Sequence, residues 1–230
     1  MTRWGAVGGV LLTLLLAVPA SAATSLEFRY WGPNLYLGSP TTPRYTIELQ
    51  YEYRPSRFGA RVWGAMGDAD DYCPPTCFQH TFVAGDLTYR IAPWLRVFGG
   101  RYQLWREHVS GAYGTMSHLH EGWRAGLMAN VSLRPRLTFV AEWAYLWDQY
   151  REVSPWVPSS WSATPGTWGG TGAGQYYRLA VQYALSPSTY ATVGYEEWGF
   201  HLPGGPLGPW GYYQDHVWRG WFFGVGARGR

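Results

Sequence analysis

The dominant pattern along the chain is an alternation with a period of two. Across 44–54, Tyr45, Ile47, Leu49, Tyr51 and Tyr53 take one parity, while Arg44, Thr46, Glu48, Gln50, Glu52 and Arg54 take the other. Residues 175–185 repeat it, with Tyr177, Leu179, Val181, Tyr183 and Leu185 set against Tyr176, Arg178, Ala180, Gln182 and Ala184. Successive side chains of a strand point to opposite faces, so each segment predicts a strand with one apolar and one polar face. Both apolar faces read aromatic, aliphatic, aliphatic, aromatic. That order suits a strand crossing a bilayer, with hydrocarbon at its middle and amphipathic rings at both interfaces.

Extending the pattern predicts ten strands, at 25–36, 44–54, 57–66, 79–90, 94–106, 119–133, 136–150, 175–185, 188–200 and 215–228. In the fifth and ninth, Arg96 and Glu197 fall on the apolar parity, which a bulge or a strand end would explain. Four connections are tight: Pro55-Ser56, Ile91-Ala92-Pro93, Arg134-Pro135 and Ser186-Pro187. Five are long, at 37–43, 67–78, 107–118, 151–174 and 201–214, and long and tight alternate strictly. An even number of strands then puts both chain ends on the side of the tight turns.

These features together resemble the bacterial outer-membrane β-barrel superfamily, across the whole chain after residue 22. The resemblance is to an architecture, with short periplasmic turns and long extracellular loops. It implies a ten-stranded antiparallel up-and-down transmembrane β-barrel, located in the outer membrane and in contact with its lipid. Barrels of this kind typically close on an aromatic residue that the assembly machinery reads. Here the last strand carries Trp221 and Phe223 outward, and the chain continues to Ala227-Arg228-Gly229-Arg230.

Composition agrees with an interfacial protein. Aromatics make up 18% of the chain and charged residues 14%, against roughly 25% charged in ordinary soluble domains. Tyr and Trp combine an apolar body with a polar tip and favour the membrane–water boundary. All 18 basic residues are Arg; genome composition is the ordinary reason, and the planar guanidinium also tolerates partial burial better than an ammonium. The formal net charge of +3 gives no support to nucleic-acid binding. At the N-terminus, Arg3, an apolar stretch from Ala6 to Val18, Pro19 and Ala20-Ser21-Ala22 form the pattern of a secretory signal peptide. Residues 1–22 are therefore expected to be removed, leaving one barrel domain over 23–230.

On the polar parity the sequence predicts an inward-facing charge network of Glu27, Arg29, Glu48, Glu52, Arg61, Asp86, Arg101, Arg124, Glu142, Asp148, Arg178 and Glu196. A barrel of about ten strands lies near the size that side chains fill, whereas wide aqueous pores need roughly sixteen. A filled lumen with paired charges is one reading; a narrow passive, porin-like conduit is the other. A soluble periplasmic barrel with an interior ligand is a third arrangement compatible with the alternation.

The remaining chemistry lies in the predicted loops. Cys73 and Cys77 are the only cysteines, and in an exported chain such a pair predicts a disulfide. With His80 they form C-x3-C-x2-H, which lacks a fourth metal ligand, so neither metal nor cofactor is expected. The histidines His80, His108, His118, His120, His201 and His216 gather at the outer rim, near Glu107, Glu121 and Asp215. A rim of this kind is similar to that of omptin-type surface proteases. The similarity would point to Asp215-His216 and to Asp68, Asp70 and Asp71. Adjacent strand residues face opposite ways, however, so Asp215 cannot orient His216. Ser117-His118 likewise supplies no activated nucleophile by itself. The chain is read as non-enzymatic. Trp156, Trp161 and Trp168 of the longest loop, with Trp210 of the fifth, are the candidates for binding a glycan or lipopolysaccharide by stacking. Packing of these rings on the rim is the plainer alternative.

Overall fold

The computed structural model describes residues 23–36, 46–70, 77–110, 114–154, 166–201 and 216–229. These form ten strands: β1 (Ala23–Tyr36), β2 (Thr46–Arg54), β3 (Phe58–Asp70), β4 (Cys77–Ala92), β5 (Leu95–Ser110), β6 (Gly114–Arg134), β7 (Leu137–Ser154), β8 (Gly166–Ala184), β9 (Thr189–His201) and β10 (His216–Arg228). Each pairs antiparallel with its sequence neighbours, and β1 pairs with β10, from Ser25 opposite Arg228 to Tyr36 opposite Val217. Closure gives every described strand a neighbour on both sides, which is what a strand in hydrocarbon requires.

Parity decides the two faces. On the outer face stand Tyr30, Trp143, Trp147, Tyr177, Leu179, Val181, Tyr183, Trp221 and Phe223, all exposed. Leu87, at 74% exposure, and Leu185 are likewise left bare. A soluble protein does not expose a continuous apolar surface of this extent; this belt faces lipid. At the turn end, hairpin is tied to hairpin through backbone bonds. Arg90 N donates to Arg57 O at 2.8 Å, Asn130 N to Trp94 O at 2.8 Å and Ala184 N to Arg136 O at 2.8 Å. Gly229 N donates to Thr24 O at 2.8 Å across the β1–β10 seam.

β3 to β9 run further toward the loop end than the alternation predicts. A tilted transmembrane strand needs about 9–11 residues, yet β6 has 21 and β8 has 19. Most of predicted loop 107–118 belongs to the β5–β6 hairpin, whose pairing continues to Ser110 opposite Gly114. Much of predicted loop 151–174 belongs to β7 and β8, paired out to Ser154 opposite Gly166. Gly169-Gly170 and Ser/Thr-rich surroundings obscure the alternation there, because residues without an apolar side chain carry no parity signal. Trp168 therefore lies in a strand, opposite Glu152, and not in a loop.

One predicted face is inverted. In β5, Phe98, Tyr102 and Leu104 are buried inside, while Arg101 is on the outer face with 58% of its side chain exposed. Arg96, expected outside, turns inward to Glu52 at 2.9 Å. The Gly99-Gly100 pair removes the side chains that would mark the faces, and the inward face is itself aromatic. Glu197 of β9 does lie on the outer face, opposite Arg219 and accepting a bond from Tyr195 Oη at 3.4 Å.

Candidate functional site

The barrel interior holds the chemistry, in two charged nests and an aromatic layer. In the first nest, the Arg61 guanidinium donates to both oxygens of Glu142, at 2.8 and 2.6 Å, and through Nε to Asp86 at 2.9 Å. Arg124 grips the same Asp86 from the other side, its Nε donating at 2.8 Å. β3, β4, β6 and β7 thus meet at two guanidiniums and two carboxylates. All four groups are buried, and forks of this kind are what let ionised groups persist out of water.

The second nest lies across the lumen, on β1, β2, β8 and β9. Arg29, at 0% exposure, meets Glu48 at 3.0 Å, Glu196 at 3.1 Å and Glu27 at 3.0 Å. Arg178 donates to Glu27 at 2.9 Å, and Gln50 Oε1 accepts from both Arg29 and Arg178. Glu27 also accepts from Tyr190 Oη at 2.7 Å and Gln182 Nε2 at 3.2 Å. Three carboxylates face two guanidiniums here, so neutral donors complete the shell.

Between and above the nests, aromatic rings fill the lumen. Trp198 packs against Tyr176 (4.3 Å between centroids), Phe82 (4.6 Å) and Trp63 (5.3 Å). The guanidiniums lie on these rings: Arg124 is 4.7 Å from the Trp63 centroid, Arg61 4.8 Å from Phe98, and Arg29 and Arg178 5.3 and 5.2 Å from Phe222. A planar cation can use its edges for carboxylates and its faces for rings at once, which an ammonium cannot. Toward the loop end, His120 Nδ1 donates to Asp148 Oδ2 at 2.7 Å, and Tyr102 Oη donates to Asp148 Oδ1 at 2.8 Å. The His120 ring lies 4.3 Å from Phe200.

Of the residues that the sequence sets inside, Glu27, Arg29, Glu48, Glu52, Arg61, Asp86, Arg124, Glu142, Asp148, Arg178 and Glu196 are buried in the lumen. Arg101 is not among them: it stands 5.7 Å over the outward Trp123 ring and 3.8 Å from Glu121. Two of the rim histidines, His80 and His120, are buried inside the barrel, while His201 is exposed at the end of β9. The side chains of His108, His118 and His216, of Cys73 and Cys77, and of Asp68, Asp70, Asp71 and Asp215 lie outside the described residues. So do Trp156, Trp161 and Trp210, and residues 1–22.

Sequence reasoning missed the aromatic filling and the His120–Asp148 contact. Both carry a readable signal. The tight turn at Arg134-Pro135 sets the β6–β7 register, with Gly122 opposite Asp148 and His120 opposite Tyr150. His120 and Asp148 are then diagonal neighbours on one face. Likewise Trp63 shares its parity with Arg61, and Trp198 with Glu196.

No protein-family model matches the chain, and no curated protein does. Solved structures do. The translocator domain of the autotransporter NalP from Neisseria meningitidis is 11% identical, covering 97% of this chain and 95% of that one, with a TM-score of 0.50. Neisserial surface protein A is 10% identical over 89% of this chain and 97% of its own, with a TM-score of 0.46. The outer membrane protease OmpT from Escherichia coli is 11% identical over 90% of this chain and 94% of its own, at 0.43. The likeness to the NalP translocator domain is one of fold alone.

Proposed function

We propose that this chain is a non-enzymatic outer-membrane barrel that acts at the cell surface, through the strand extensions and loops at its loop end. The observation that carries this reading is the filled lumen. Arg29, Ala144, Leu146 and Phe222 are all at 0% exposure, and a water-filled conduit would leave lumen side chains wet along its length. Among the described residues, an interior filled in this way leaves no room for a transported solute or a bound ligand. What remains available is the outside of the loop end, where β5 to β8 continue past the lipid belt and carry Trp168 opposite Glu152.

Trp suits recognition of a flat polar surface, such as a sugar ring of a glycan or lipopolysaccharide, because a ring stacks with little loss of conformational freedom. Trp156, Trp161 and Trp210 extend the same chemistry along the chain. Deleting 155–165 together with Trp168→Ala should leave a barrel that still changes gel mobility on boiling but no longer retains lipopolysaccharide or a surface glycan. Unchanged retention would overturn the glycan assignment. Turnover of a peptide or lipid substrate by the intact protein would overturn the non-enzymatic one.

A further inference from the structure

Toward the loop end, the lumen parity of three adjacent strands gathers histidines. β6 pairs with β7 without a bulge from Ser117 opposite Val153 to Ser132 opposite Thr138, and with β5 from Ser110 opposite Gly114 to Leu95 opposite Ala129. Parity is therefore kept along it. His120 and Arg124 are buried in the lumen, and His118 falls on their parity. The register sets His118 directly opposite Glu152 of β7, which shares the parity of the buried Asp148. On β5, His108 lies opposite Met116 and so diagonal to His118, on the parity of the buried Tyr102 and Leu104. Backbone register thus puts three histidines and one glutamate on one face. Residues i and i+2 of a strand stand roughly 7 Å apart, and direct cross-strand partners have Cβ atoms about 5 Å apart. Both separations allow side chains of this length to meet at one ion, bound at about 2.0–2.2 Å.

Asp148 supplies an independent observation. In the two nests, Asp86, Glu142, Glu27, Glu48 and Glu196 each have a guanidinium within 3.1 Å. Among the described residues, the partners of Asp148 are instead His120 Nδ1 at 2.7 Å and Tyr102 Oη at 2.8 Å. A carboxylate that takes the Nδ1 proton fixes the tautomer and leaves the lone pair on Nε2. That is the arrangement found behind a metal-ligating histidine. Imidazole nitrogens joined by one carboxylate oxygen form a donor set for zinc. We infer that His108, His118, His120 and Glu152 bind a zinc ion at the loop-end mouth of the barrel, with Asp148 as the positioning residue behind His120. Four protein ligands make a closed, structural site, which ties β5, β6 and β7 together beyond the lipid belt. An ion held between side chains displaces protons and water, and needs no cavity in the filled lumen. Arg106, opposite His118 on β5, is a cation on the same parity and opposes the ion.

The test is calorimetric titration of the untagged full chain, refolded in detergent, with zinc(II) alone, then with cobalt(II) in its place. Unboiled gel mobility first checks that each protein is folded. The intact barrel should take up one zinc per chain, and cobalt should give the intense visible bands of a tetrahedral site. Glu152→Gln and His108→Gln, which lie above the plug in the register, should each weaken zinc binding at least about tenfold. Asp148→Asn should weaken it by about ten- to a hundredfold while keeping the tetrahedral cobalt spectrum, as a positioning residue requires. Arg106→Gln should tighten it by removing charge of the same sign. A folded barrel that takes up no zinc overturns the inference, as does uptake that survives His118→Gln combined with Glu152→Gln. Faint cobalt bands of a hydrated ion overturn it as well. Loss of uptake in Cys73→Ser/Cys77→Ser would give the ion to the cysteines and His80 instead.

Discussion

Arg61 satisfies Asp86 and both oxygens of Glu142 from one guanidinium, wholly out of water. Removing it strands Glu142 on β7 and leaves Asp86 on β4 to Arg124 alone. Arg61→Ala is therefore expected to lower stability by about 3–5 kcal/mol, read as a shift in the urea midpoint of the vesicle-bound barrel. The second nest behaves differently, because it already holds three carboxylates against two guanidiniums. Glu48→Gln keeps the volume, retains an acceptor for Arg29 and evens the count, so a change below about 1 kcal/mol is expected. Equal losses for the two substitutions in the same urea experiment would show that the nests are not balanced in the way described. The absence of lysine from the chain has a structural consequence at this scale. Each guanidinium of the two nests meets carboxylates at its edges and rings on its faces, and a lysine would supply neither geometry.

At the scale of the elements, β6 and β7 approach closely where glycines of β6 face the lumen. A Cβ on Gly122 would lie 1.8 Å from the Trp147 carbonyl oxygen, and one on Gly126 2.0 Å from that of Trp143. Backbone cannot yield as a flexible side chain does. Gly122→Val should cost about 1–3 kcal/mol or more and loosen the β6–β7 hairpin. Faster amide exchange along Trp143–Asp148 would report it, and unchanged protection there would refute the close-approach argument. The long β5–β8 extensions follow from the same pairing: once the ladder is in register at the belt, it continues as far as the backbone can pair.

For the whole molecule, the interior works as a plug. Trp198 touches Trp63, Phe82, Tyr102 and Tyr176, so Trp198→Ala should lose about 3–5 kcal/mol. The intact protein should give no conductance steps in planar bilayers. Trp63→Ala with Trp198→Ala should open a path beside the two nests and produce steps. Steps from the intact protein would mean that the plug moves, and the surface reading would give way to a channel.

The sequence by itself determined the closed ten-stranded barrel, because a period of two, tight Pro-containing turns and aromatic ends are local properties of each strand. It also determined the inside of most strands, since a charge on a strand in hydrocarbon must face inward. Eleven of the twelve expected lumen charges lie there. Arg101 is the exception, and its reason is local too: Gly99-Gly100 erases the parity, and near the end of the belt an outward arginine can rest on Trp123 and Glu121 instead of lipid. Only the tertiary structure decided the rest. Which carboxylate each arginine takes depends on the stagger of strands across the lumen, as with Arg61 and Glu142, which lie 81 residues apart. Which rings meet across the lumen, as Trp198 meets Phe82 and Trp63, depends on the same stagger. The reach of β5–β8 beyond the membrane is fixed by backbone pairing, to which side-chain alternation is blind.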